Sequence, residues 1–172
     1  MEVNERIVEE YLKTVKGWFY ISDIPFEVPH NYSNIDILAY DPKKNIYYDI
    51  EVKYRSAFKM SRNDIEKEDG EFYRLLNQFL RPEREKKIEE IIGENHKPIK
   101  IFVTTRQYFG KTHNGIEKAL KSKLKEHYYE SDIWYFDDII SELYKQTEKA
   151  GRYNSELLQT IRLIKTYIPD KE

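Results

Sequence analysis

Asp36, Asp49, Glu51 and Lys53 are the residues of this chain whose types and spacing can do chemistry. Side chains alternate along an extended strand, so Asp49, Glu51 and Lys53 share one face while Ile50 and Val52 point into a core. Two acids and a lysine crowded on one strand face form a natural setting for a divalent ion. Hairpin register decides whether Asp36 joins them. A four-residue loop, 42–45, pairs Asp41 with Ile46 and sets Asp36 opposite Glu51, within reach of one ion. A five-residue loop would turn them to opposite faces, because a one-residue slip flips every side chain. Hard oxygen donors, in a chain with no Cys and with His30, His96, His113 and His127 at no ligand spacing, favour Mg²⁺ or Mn²⁺ over zinc. Such an ion polarises a phosphoryl oxygen and activates water, while Lys53 orients that water or offsets developing charge. If these groups converge, the chemistry they suit is phosphodiester hydrolysis. Acyl transfer has no support, since neither a nucleophile elbow nor a Ser–His–Asp arrangement is present. Asp49 is expected to be a solvated neighbour rather than a third ligand. The bland reading of the same residues is an exposed hairpin on which Lys53 pairs with Glu51 or Asp49.

The elements that must position these groups show as periodicities. Residues 3–16 carry Val8, Leu12 and Val15 at helical spacing, with Ile7 and Tyr11 beside them, and Gly17 stands where a helix stops. Residues 18–24 read as a strand ended by the polar, proline-containing stretch 23–29. Strands follow at 35–41 and 46–54. The charged stretch 62–70 reads as a loop or the start of a helix. Phe72, Leu75, Leu76, Phe79 and Leu80 mark a helix within 71–92, broken or restarted at Pro82 and ended by Gly93. Residues 99–104 form a nearly all-apolar run of the kind buried in a sheet. A helix starting at Asn114 with Glu117 as its capping partner, a strand at 133–136, and helices from 137 or 138 to 150 and at 155–167 complete the chain. The order α-β-β-β-α-β-α-β-α-α indicates a mixed sheet with helices on it, in the α/β or α+β class.

Helix, strand, Ile35-Asp36, hairpin, Glu51-Val52-Lys53, helix and strand together resemble the PD-(D/E)xK nuclease superfamily. Its members include type II and type IV restriction endonucleases and archaeal Holliday-junction resolvases. The resemblance spans about residues 1–104. It implies an α/β fold with a restriction-endonuclease-like αβββαβ core, a mixed sheet flanked by helices. A mainly helical extension over about 114–168 would complete a single domain, 1–172. It also implies a metal-dependent DNA endonuclease in which Asp36 and Glu51 ligate Mg²⁺ (or Mn²⁺) and Lys53 assists the attacking water. Several branches place a Glu on the first helix about a dozen residues before a Gly-aromatic pair. Glu5 precedes Gly17-Trp18 by that spacing and takes the role, with Glu9 as the fallback. At 100° per residue, Glu5 borders the Val8/Leu12/Val15 stripe more closely than Glu9 does. Ile35 stands where Pro often precedes the Asp, and no Gln-x-x-x-Tyr motif follows. The alternative is a catalytically inactive nucleic-acid-binding or assembly module of the same fold.

Composition bounds the rest. The 172 residues carry a formal charge of −2, with 40% hydrophobic and 15% aromatic content, enough for a core and too much for a disordered chain. No apolar run is long enough to span a membrane, and the N-terminus lacks a signal-peptide layout. The expected location is the cytoplasm. The lack of Cys excludes disulfides and thiol nucleophiles. High Lys and Glu content with few oxidisable residues is a thermophile's usage, and equally that of an AT-rich genome. Residues 97–125 hold eight bases and one acid, a +7 segment beside a −9 remainder. Arg106 and Lys111, around the aromatic loop 107–114, and Arg55, two beyond Lys53, are the candidates for contact with a DNA backbone. Lys118, Lys121 and Lys125 lie opposite Ile116, Leu120 and Leu124, as on any solvated helix face. Tyr128, Tyr129, Trp134, Tyr135 and Phe136 are expected in the core or in a homodimer contact.

Overall fold

The first helix, α1 (Val3–Tyr11), starts with a reciprocal capping box between Glu2 and Glu5 and buries Val8 and Tyr11. It widens into a π-helical turn, Leu12–Lys16, which Gly17 ends in the left-handed region at φ 68°. That turn directs the chain into β1 (Phe19–Val28). The chain is a computed structural model describing residues 2–54, 60–61, 63–67, 70–127, 129–148 and 155–167.

β1 runs four residues beyond the expected end at Ile24 and takes in Pro25. A proline is tolerated there because β1 is the edge strand, where a missing N–H breaks no inner ladder. β2 (Asn31–Asp41) and β3 (Ile46–Val52) pair antiparallel with Asp41 opposite Ile46, the register that a four-residue loop requires. The loop is built by its own residues. The Lys43 N–H donates to Asp41 Oδ1 (2.9 Å), the Asn45 N–H donates to the Asp41 carbonyl (2.9 Å), and Asn45 takes φ 57°. Asn accepts this left-handed conformation more readily than other non-glycine residues.

A short helix, α2 (Asn63–Glu66), lies within the charged stretch. The expected 71–92 helix is two helices, α3 (Glu71–Phe79) and α4 (Pro82–Ile92), with Pro82 opening the second, where its missing N–H costs nothing. β4 (Ile99–Thr104) follows, then a 3₁₀ turn at Arg106–Thr112 and α5 (His113–Glu126), which starts one residue before Asn114. β5 (Ser131–Tyr135), α6 (Phe136–Gln146) and α7 (Glu156–Tyr167) complete the described elements.

The sheet has the order β1-β2-β3-β4-β5, antiparallel through β3 and parallel from β3 to β5. The fold is thus α/β, with a five-stranded mixed sheet flanked by helices. One face packs Ile37, Ile50, Ile101 and Val103 against Val8 and Leu12 of the N-terminal helix and Ile139 and Leu143 of α6. The opposite face packs Phe102 and Ile133 against Phe72 and Phe79 of α3 and Leu120 of α5. A smaller cluster seats Ile88 of α4 on Ile24, Phe26, Ile35 and Leu38. Each such side chain contributes about 1.5–3 kcal/mol on burial. The sheet does not end at residue 104: β5 extends it, and α6 belongs to the same core. Among the described residues, no helix is long and apolar enough to cross a membrane.

Candidate active site

The ladder between β2 and β3 runs from Asp41↔Ile46 to Ile37↔Ile50. One residue further, Asp36 stands opposite Glu51, and the Val52 N–H donates to Asp36 Oδ2 at 2.6 Å. This is the carboxyl end of β3, the strand that has antiparallel β2 on one side and parallel β4 on the other. In open α/β sheets, ligands bind outside that end of the parallel strands. Lys53 follows immediately, its N–H bonded to the Val103 carbonyl (2.9 Å) and its Nζ 3.7 Å from Glu51 Oε1.

Burial is the largest influence on Asp36 and the charge of Glu51 the next, and together they push its carboxyl up to about 7, against the weaker opposing pulls of the Val52 N–H and Arg84. Glu5 adds to the same upward push. Its carboxylate also accepts the Glu2 N–H (3.1 Å) as part of the helix cap. Glu9 acts on Tyr20 instead, raising that phenol together with burial and Glu10. Between the two acids considered for the first helix, Glu5 is the one whose charge reaches Asp36.

A buried ion network lies behind Glu51 on the same face of the sheet. Arg84, from α4, is fully buried. Its Nη2 and Nε donate to Asp49 Oδ1 (2.6 Å) and Oδ2 (3.2 Å), and its Nη1 donates to Glu51 Oε2 (2.8 Å). Lys100 Nζ, from β4, donates to Asp49 Oδ2 (2.8 Å). The Phe79 and Tyr129 rings lie over the two cations, 5.4 Å from the Arg84 guanidinium carbon and 4.4 Å from Lys100 Nζ. Asp49 is therefore not a solvated neighbour. It is completely buried; burial alone would raise its carboxyl, but Arg84 and Lys100 overcome that and hold it below the ordinary range. Burial would likewise lower the Arg84 guanidinium, and Asp49 and Glu51 raise it instead.

Arg84 was hidden in the run Pro82-Glu-Arg-Glu-Lys-Lys, which reads as a solvated helix face. The usable signal was Ile88 four residues later: positions i and i+4 share a face, so a buried Ile88 turns Arg84 inward as well. Lys100 was hidden differently, as one more charge in the basic segment. It occupies a central strand directly paired with Asp49, which only the parallel β3–β4 register reveals.

That register takes Lys100 off the surface, and other bases of the segment stay exposed but paired with acids. Lys100 is buried, Arg106 binds Asp138 (2.7 Å) and approaches Asp137 (3.6 Å), and Lys121 binds Asp132 (2.7 Å). Arg106 also stacks its guanidinium over Tyr135 at 4.2 Å. The expectation for Arg55 falls outside the described residues, as does that for the Lys111 side chain. Ile116, Leu120 and Leu124 are buried while Lys118, Lys121 and Lys125 are exposed. Tyr135 and Phe136 are core residues, Trp134 packs edge-on to Tyr11, and the Tyr129 hydroxyl donates to Glu85.

Among the described residues, no three His, Asp or Glu side chains are grouped to hold a metal ion. The donor set at hand is a pair, Asp36 and Glu51. That fits Mg²⁺, which keeps several waters and takes one or two protein carboxylates. Asp36 Oδ2 and Glu51 Oε2 accept from Val52 and Arg84, and Glu51 Oε1 lies 3.7 Å from Lys53 Nζ, so Asp36 Oδ1 and Glu51 Oε1 are the oxygens that would face an ion. An oxygen-only pair favours Mg²⁺ or Mn²⁺ over zinc. No protein-family model, curated protein or solved structure matches the chain.

Proposed function

We propose that this chain is a Mg²⁺- or Mn²⁺-dependent phosphodiesterase that cuts DNA, with a restriction-endonuclease-like sheet. One observation carries the reading: Asp36 and Glu51 meet across the open end of the β2–β3 hairpin, with Lys53 just beyond the end of β3 and 3.7 Å from Glu51. Asp36 is held by the Val52 N–H and Glu51 by Arg84, so each carboxylate offers one oxygen from a fixed position. A divalent ion bound there would polarise the scissile phosphoryl group and make water a better nucleophile at neutral pH. Lys53, with its side chain about a quarter exposed, can reach a phosphoryl oxygen or orient the water while its charge is balanced by Glu51.

The test is cleavage of duplex, branched and single-stranded DNA with Mg²⁺, with Mn²⁺ and with chelator. Cutting is expected only with the ion and is abolished by Asp36→Ala. Lys53→Ala should lower kcat by roughly 10²–10⁴-fold, the range for a positioned proton-handling group, with thermal unfolding unchanged. Wild-type cleavage by either variant overturns the reading. Salt-sensitive DNA binding without cleavage under either ion would identify a binding module instead.

A further inference from the structure

We infer that Arg84 is a positioning residue of this site, fixing which oxygen of Glu51 faces the metal ion. The inference rests on the phosphodiesterase reading and names what makes its metal site specific. Glu51 is 2% exposed and carries a flexible side chain, so unaided it could turn either oxygen, or both, toward a cation. Arg84 removes that freedom. Its guanidinium is anchored by two contacts to Asp49, and the remaining nitrogen of the fork takes Glu51 Oε2 at 2.8 Å. Lys100, bonded to the same Asp49, completes the anchor. Glu51 Oε1 is left as the oxygen nearest Lys53.

The planar fork is essential to this arrangement. A lysine ammonium carries the same charge but is a point donor that cannot span Asp49 and Glu51 in fixed geometry. Arg84 is fully buried, so it cannot touch DNA and acts only through Glu51. Partners that orient metal ligands influence affinity by 10–100-fold when removed.

The experiment measures Mn²⁺ binding to the full chain by calorimetry, together with kcat and KM for DNA cleavage. Arg84→Lys, which keeps every charge, is expected to weaken Mn²⁺ binding by about 10–100-fold. At Mn²⁺ concentrations that saturate the variant it should still lower kcat, because the ligand oxygen is misplaced, and leave KM for DNA unchanged. Asp49→Asn, which loosens the anchor, is expected to shift Mn²⁺ affinity in the same direction by roughly 10-fold, and it carries the test if Arg84→Lys does not fold. Ile88→Val is the control: it loosens the packing of α4 without touching the fork and should leave Mn²⁺ affinity as it is. Unchanged Mn²⁺ affinity in the folded Arg84 or Asp49 variant overturns the role of Arg84 alone. So does an equal loss in Ile88→Val. A wild-type chain that binds no Mn²⁺ overturns the phosphodiesterase reading, and this inference with it.

Discussion

Asp36 carries the most distinctive electrostatics at the scale of single residues. An acid whose pKa is higher in the folded state favours its protonated form there. Its contribution to stability is therefore largest below the unfolded value of about 4 and is lost as pH rises through the folded value of about 7. Urea unfolding of the ion-free protein should show stability falling between those two pH values. Asp36→Asn is expected to remove that slope and to be more stable than the parent at about pH 8. A slope that persists in Asp36→Asn would assign the titration to another group. Mg²⁺ should flatten the parent's slope, since the ion takes over the proton's task of separating Asp36 from Glu51. Arg84 makes the opposite case, a cation that stabilises two buried acids. Arg84→Met leaves Asp49 and Glu51 without it, and the expected loss, measured by urea unfolding, is about 3–5 kcal/mol.

The hairpin is the element on which the site depends. Its register follows from the loop chemistry of residues 42–45: Asp41 satisfies the turn's N–H groups and Asn45 takes the left-handed step. A β-branched residue resists that conformation, so Asn45→Val should lower stability by about 1–2 kcal/mol. Asn45→Gly should stay within a few tenths of the parent, since glycine enters that region freely. Thermal unfolding of the two variants checks the pair. Both hairpin strands were legible in the sequence; the register was not, because loops of four and of five residues both suited the alternation and a one-residue slip turns Asp36 to the other face. Nor were the ends of β1 and β3. Pro25 looks like a terminator in isolation and is acceptable only because β1 lies at the sheet edge. Likewise, Lys53 follows β3 in chemistry but lies just beyond its last residue, Val52.

At the scale of the whole molecule, the charge count and the charge distribution say different things. The sequence holds a +7 segment, but the fold spends Lys100 internally and pairs Arg106 and Lys121 with acids from β5 and α6. On the proposed reading, electrostatic grip on DNA should therefore depend on the divalent ion, which offsets the charges of Asp36 and Glu51. Fluorescence anisotropy with a labelled duplex should show tighter binding with Ca²⁺ than with chelator, and Asp36→Ala should abolish the difference. The slope of log affinity against log salt should be shallow, as few phosphate contacts give. A steep slope with chelator present would place the DNA on basic residues away from Asp36 and Glu51.

The sequence by itself determined the alternation that puts Asp49, Glu51 and Lys53 on one face and the helices that bury Val8 and Phe72. It narrowed the hairpin loop to two lengths, of which the four-residue one sets Asp36 opposite Glu51. These are local matters, governed by strand and helix periods and by turn length. Only the tertiary structure decided that Asp49 is buried, that Lys100 and Arg84 neutralise it, and that Glu51 has one oxygen already engaged. Those contacts join residues 33 to 51 positions apart. They depend on the parallel pairing of β3 with β4 and on the seating of α4 by Ile88. A charged residue on an amphipathic helix looks the same in sequence whether it faces water or two buried carboxylates, and packing alone separates the cases.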